Sequence, residues 1–206
     1  MTEQLKLPGF DASLPGLSAQ ASHTHSGHNY GHKLLFALFP SAEQAQHIHE
    51  RAQALLAQQR WTDTPIAAAD LHLTLQVIGD YLDGVPKSVV SAAARAAEQV
   101  RANAIQIVFD QVQSLTGHGA LVFQQEHRNP GLQSLIQQLS QALAEHGFAR
   151  HPLGTPHMTL LFSHGRISKQ PIRPISWSAT QFVLIHSHGG KHHLERLEKW
   201  PLASSY

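Results

Sequence analysis

A five-residue pattern occurs twice in this chain, as Leu71-His72-Leu73-Thr74-Leu75 and, with its histidine 85 positions further on, as Pro156-His157-Met158-Thr159-Leu160. Both copies sit in runs that alternate polar and apolar residues, the period of a strand with one buried face. In the first run His72, Thr74, Gln76 and Ile78 fall on one side, with Leu71, Leu73, Leu75 and Val77 on the other. In the second, His157, Thr159, Leu161 and Ser163 share a side, and Met158, Leu160 and Phe162 form its back. Any fold open to this chain must therefore cover the backs of two strands and leave each histidine and hydroxyl facing outward together.

The intervening stretches supply the cover. Residues 33–39 read as a buried strand ended by Pro40, after which Ser41 caps a helix running to about Gln59. Pro86 falls in the first turn of an alanine-rich helix expected over 85–102. Residues 104–115 and 120–125 read as a hairpin about the turn at 116–119, and Pro130 opens a helix with one apolar face, closed by Gly147. After the second motif, 175–187 reads as one long strand, followed by a Gly189-Gly190 turn and a returning partner over 192–197. This succession predicts an α+β fold: two lobes related by a pseudo-twofold axis, mainly antiparallel sheets, helices on the outer faces and a central cleft. Residues 1–31, rich in Gly, Pro, Ser and His, read as an extension, and 32–206 as the folded domain.

Composition narrows the chemistry. The chain has no cysteine, which removes disulfides, thiolate nucleophiles and Cys-ligated zinc. Fifteen basic residues against fourteen acidic ones give a net charge of +1 and no broad field for gripping duplex DNA. The start, MTEQLKLPGF, lacks an export-signal pattern, and the apolar run at 34–39 is far shorter than a membrane span, so a cytoplasmic protein without a membrane partner is expected.

Either histidine alone reads most simply as a strand residue meeting ordinary hydrogen bonds, but the repetition argues for a pair. Two imidazoles across a cleft suit acid-base chemistry, since one donates a proton while the other accepts one. Thr74 and Thr159 would aim hydroxyls at an anion held between them. A phosphodiester undergoing in-line displacement fits this arrangement better than a neutral carbonyl. Neither motif carries a carboxylate or third imidazole at ligand spacing, so no catalytic metal is expected.

On these motifs the chain resembles the two-histidine (2H) phosphoesterases, and within them the bacterial 2′-5′ RNA ligase or RNA 2′,3′-cyclic phosphodiesterase branch. The resemblance spans residues 33–202 and rests on LFALFP, LHLTLQVIGD, PHMTLLFSHG and the closing LEKWPL. It implies cofactor-free hydrolysis of an RNA-type 2′,3′-cyclic phosphate to a 2′-phosphate, on short RNA ends or cyclic nucleotides. By carry-over His72 would protonate the departing 3′-oxygen, His157 would activate water, and Thr74 and Thr159 would bind the non-bridging oxygens. The same site run backward, with a 5′-hydroxyl in place of water, would form a 2′-5′ linkage. Relatives often carry a basic residue soon after each motif, where this chain has Gln76 and Phe162. Arg150, Arg166 and Lys191 are the candidates for supplying that charge, and His193 stands near where relatives place a stacking Tyr.

Histidines also gather outside the motifs, as His23, His25, His28 and His32 in and beside the extension and as His186, His188, His192 and His193 around the last hairpin. A polar surface is the simpler expectation, with metal binding the sharper one, the hairpin holding His186 near His193. Two other classes of function follow from these features. The chain could be a nucleotide-binding module without turnover, or a histidine-rich metal-binding protein.

Overall fold

The computed structural model describes residues 31–115, 119–150, 154–163, 165–188 and 193–204. The extension, with His23, His25 and His28, lies outside the described residues. So do Lys191, His192 and the turns at 116–118 and 189–190.

Among the described residues eight strands and three α-helices follow in the order β1 (His32–Leu38), α1 (Ala42–Gln59), β2 (Leu73–Tyr81), α2 (Lys87–Ala97), β3 (Ile105–Ser114), β4 (Ala120–Gln124), α3 (Pro130–Glu145), β5 (His157–Phe162), β6 (Gln170–Ala179), β7 (Gln181–His188) and β8 (His193–Pro201). The strands form one antiparallel sheet in the order β6-β3-β4-β5-β2-β1-β7-β8. It divides into two four-stranded halves, because β5 and β2 are joined by a single ladder pair, Leu73 with Met158. Those are the residues that follow the two motif histidines. The expected pseudo-twofold arrangement is thus built as two half-sheets sutured at the motifs.

The helices cover one face. Ser41 closes a capping box on α1, its hydroxyl accepting from the Gln44 amide while Gln44 reaches back to the Ser41 amide. On α3 the Asn129 side chain accepts from the Leu132 amide, Pro130 takes the first turn, and Gly147 follows the helix at φ +83°. The α2 helix is shorter than expected, starting after Pro86 and ending at Ala97. Its alanines permit close approach, and Val89, Ala93, Ala96 and Ala97 join the core with Ile48, Ala52 and Leu56 of α1 and Leu132, Leu135, Leu139 and Leu143 of α3. No helix among the described residues is long and apolar enough to cross a membrane.

The long strand expected over 175–187 is two strands that belong to opposite halves of the sheet. The break falls at Thr180, where the buried phase slips by one residue: Ile175, Trp177 and Ala179 alternate up to it, and Phe182 and Leu184 continue in the core after it. Before the slip the chain pairs with β3, and beyond it with β1. A phase slip of one residue turns every later side chain to the other face unless the chain re-enters elsewhere.

Candidate active site

The two motif strands begin alike. A short 3-10 turn at Ala68–Asp70 leads into β2, and the Asp70 carbonyl accepts a hydrogen bond from His72 Nδ1 at 2.7 Å. Two residues before the other histidine, the Thr155 carbonyl accepts from His157 Nδ1 at 3.0 Å. A carbonyl cannot donate, so both rings carry their proton on Nδ1 and turn Nε2 outward. In register with the Leu73–Met158 pair, Thr159 falls opposite His72 and Thr74 opposite His157. The two histidines are then diagonal neighbours, about 7–8 Å apart in a regular ladder.

Each motif also carries a β-bulge at the same place. In the β1–β2 ladder Phe36 pairs with Gln76 and Ala37 with Thr74, leaving Leu75 as the extra residue. In the β4–β5 ladder Leu121 pairs with Leu161 and Val122 with Thr159, leaving Leu160 extra. A bulge inserts one residue and reverses the phase beyond it. This corrects the expected faces. Gln76 lies opposite Phe36 and is buried, 2% exposed, and Leu161 is in the core. Val77 and Phe162, expected on the backs, come to the histidine side instead. Val77 packs with Leu35, Ala37, Val183 and Ile185, and Phe162 is 59% exposed. Ile78, the extra residue at a second irregularity in β2, also faces the core rather than the front.

A cavity of about 560 Å³ opens at His72, lined by Pro65, Ile66, Asp70, Phe162, Ser187 and Leu194 among others. Its outer wall is the loop after α1, held to β5 by the Ile66 amide donating to the Leu160 carbonyl and by Ser163 Oγ donating to Asp63. A second, more polar hollow of about 400 Å³ adjoins Thr155 and Pro156 at the start of the His157 strand, and Glu126, His127, Arg128 and Asn129 line it.

Arg196 on β8 supplies a cation that sequence reasoning missed. It pairs with Ile185 and so projects on the His72 side of the sheet. Its guanidinium lies 4.1 Å above the Phe39 ring and donates to the Ala69 carbonyl at 3.0 Å. The Phe39 ring is itself 5.7 Å from that of His72. Burial, above all, holds His72 below the ordinary imidazole range, and the charges of His157 and Arg196 push the same way, against the Asp70 carbonyl and carboxylate. Burial therefore favours the neutral form of the His72 imidazole at pH 7.

The other sequence candidates are dispersed. Arg150 follows α3 and Arg166 lies between β5 and β6; both are exposed, and neither lines the two hollows. The backbone of His193 pairs with His188 at the start of β8. His186 gathers with His32 and His188, and its backbone pairs with Glu195 where the expected register put His193: the His32 and His186 nitrogens are 2.9 Å apart and the His186 and His188 ring centroids 3.9 Å. By strand alternation this trio shares the core face with Leu34 and Leu184, the opposite side of the sheet from His72.

Solved structures with this fold include LigT of E. coli. Its complex with NADP+ is 26% identical, with a TM-score of 0.66 over 84% of this chain and 98% of that one. Its complex with 3′-AMP is 25% identical, with a TM-score of 0.66 over 82% and 97%. A protein of Thermus thermophilus shares the fold at 17% identity, with a TM-score of 0.68 over 84% and 100%. A search of curated proteins finds no significant match. The profile of the 2′-5′ RNA ligase superfamily matches residues 39–191, which include both motifs, both bulges and the suture between them. On that match this chain belongs to the 2′-5′ RNA ligase superfamily.

Proposed function

We propose that this protein hydrolyses RNA-type 2′,3′-cyclic phosphodiesters to 2′-phosphomonoesters with His72 and His157 as an acid-base pair. The observation that carries the reading is the matched locking of the two rings: each Nδ1–H is held by a carbonyl two residues upstream, so each Nε2 faces outward beside the suture. A cyclic phosphate seated there meets Thr74 and Thr159, whose hydroxyls donate to the non-bridging oxygens where negative charge is concentrated. His157 Nε2 takes a proton from water as its oxygen forms the new bond to phosphorus. The bond from phosphorus to the 3′-oxygen breaks, and that oxygen takes the proton on His72 Nε2. Each transferred proton is accounted for and no metal is needed in any step.

Burial favours neutral His72, so its acid role requires a proton taken up with the substrate. An anion held between the threonines favours the imidazolium form and supplies that drive. The apolar cavity at His72 suits the nucleoside, with Phe162 as a stacking surface. Replacing water with a 5′-hydroxyl and running the sequence backward joins two RNA ends through a 2′-5′ linkage. E. coli LigT has been solved in complex with ATP, NADP+, 3′-AMP and phosphate, and nucleotides and phosphate esters are the ligand class proposed here.

The test is incubation with cyclic-phosphate-ended RNA and with 2′,3′-cyclic nucleotides, with chromatographic identification of the product. The expected product is the 2′-phosphate, at a rate unchanged by chelator. A 3′-phosphate product would contradict the orientation of the pair. Tight binding of a 2′-nucleotide without turnover would make the chain a binding module instead.

A further inference from the structure

The histidine trio lies on the face of the sheet away from His72, although its strand neighbours Ser187 and Leu194 line the His72 cavity, and it supplies no group to the chemistry proposed above. His32 begins β1, His186 and His188 end β7, and Glu195 stands near the start of β8. Each of the three rings offers one nitrogen within 4.8 Å of the other two, and among the described residues they are the one such group of three. Glu195 Oε2 completes the cluster, 3.1 Å from His188 Nε2 and 3.5 Å from His186 Nδ1. His186 is mostly shielded, His188 less so, and Glu195 is half exposed, so an ion has a way in.

We infer that His32, His186 and His188 form a binding site for a divalent transition ion of the zinc class, with Glu195 as its carboxylate partner, and that the ion ties the start of β1 to the β7–β8 hairpin. Imidazole nitrogens are the ligands that zinc, copper and nickel share, and three of them leave a position for water. A zinc–nitrogen bond of about 2.05 Å in tetrahedral geometry sets ligand nitrogens about 3.3 Å apart. His32 Nδ1 and His186 Nε2 are already at 2.9 Å, so exchanging their shared proton for an ion needs only a small opening of the pair. Coordination through Nε2 leaves His186 Nδ1–H facing Glu195, the carboxylate-imidazole-metal relay that orients such ligands.

The ladders explain why these groups meet. His32 lies opposite His188, Leu34 opposite His186, and His186 opposite Glu195, which stacks four donors on one face across three adjacent strands. The site is structural and not catalytic. It lies on the other face of the sheet, and along β1 it is about 20 Å from the Leu38–Leu73 pair beside His72, at roughly 3.4 Å per residue.

The test uses the untagged full chain, stripped with chelator and titrated with Zn2+ by calorimetry, then loaded with Co2+ for its visible spectrum. The wild type should take one tight equivalent and give the absorption of four-coordinate Co2+. At a free Zn2+ concentration a hundredfold above Kd, its Tm should rise by about 5–10 °C. Glu195→Gln should weaken binding about 10- to 100-fold, and His186→Gln with His188→Gln should abolish the tight equivalent. A chain with His23, His25 and His28 all changed to Gln should keep it, and removing zinc should leave turnover of a cyclic phosphate unchanged. Tight stoichiometric binding that survives the His186/His188 double change, or that disappears with the extension histidines, would overturn the assignment. Should circular dichroism find the double variant misfolded, His32→Gln carries the same test.

Discussion

Arg196→Met removes one charge from the cleft while keeping an unbranched apolar stem against Phe39. The guanidinium is 4.1 Å from the Phe39 ring and that ring 5.7 Å from His72, which puts the charge no more than about 10 Å from the His72 ring and makes about 10 Å the working separation from a phosphate held there. Between an effective dielectric of 20 and the solvent value of 80, a unit pair at that separation is worth about 0.4 to 1.7 kcal/mol. Arg196 is exposed, so the lower half of that range applies at physiological salt. The change should therefore lower kcat/KM for a 2′,3′-cyclic nucleotide by about 2- to 6-fold, mostly through KM, and flatten its dependence on salt. It should also raise the titration midpoint of His72, since the guanidinium is among the charges holding it down. Arg196→Lys should recover the salt dependence but not the full affinity, because an ammonium lacks the planar stacking on Phe39. Steady-state kinetics across ionic strength, beside urea unfolding to confirm folding, makes the measurement. Unchanged KM and unchanged salt dependence in a folded Arg196→Met protein would refute the role assigned to this residue.

Other outcomes follow from the same geometry. If His72 is the acid, kcat/KM should fall as pH rises through its free-enzyme midpoint, below the usual 6.5, and the corresponding limb of kcat should lie at higher pH because bound phosphate favours the imidazolium; a rise through that midpoint would exchange the two histidines' roles. Stability should decline as pH falls below about 6.5, because the unfolded chain then binds protons that a buried neutral His72 refuses; His72→Gln should lessen that slope in thermal melts taken from pH 7 to 5. Gly165→Ala would set a methyl 2.3 Å from the Trp61 ring, a clash that must displace the loop walling the cavity. A loss of about 1–3 kcal/mol in urea unfolding is expected, and a neutral result would show that the loop moves freely. Phe162→Ala should raise KM for a nucleotide substrate by about 5- to 160-fold, from the 1–3 kcal/mol typical of a base-aromatic stack, with kcat little changed.

Much of this was legible before any coordinates. The period-two runs around His72 and His157 name strands, and their repetition names a pair, because strand facing depends only on local alternation. Ser41 and Pro130 mark helix starts through hydrogen bonds and fixed dihedrals that are equally local. What escaped depends on neighbours distant in sequence. Nothing in Thr74-Leu75-Gln76 announces a bulge, which is a property of the ladder with Phe36 and Ala37 and of its counterpart with Leu121 and Val122. The bulges turned Gln76 inward and Phe162 outward, so the question of which residue replaces a missing basic side chain could not be answered at those positions. Arg196 entered through β8, two strands beyond β1, where only sheet order brings it over Phe39. The slip at Thr180 was visible in the phase of Trp177 and Phe182, but one alternating run and two misaligned ones differ by a single residue.

The paired action of His72 and His157 is best tested by single-turnover rates of 2′-phosphate formation for the wild type, His72→Ala, His157→Ala and the double variant. Acid and base acting in one concerted displacement form a unit, so each single change should cost about 10²- to 10⁴-fold and the double change little more than the worse of the two. Full folding of each variant, judged by circular dichroism, makes the comparison valid. Costs that multiply in the double variant, or either single variant with a rate near that of the wild type, would contradict the pair.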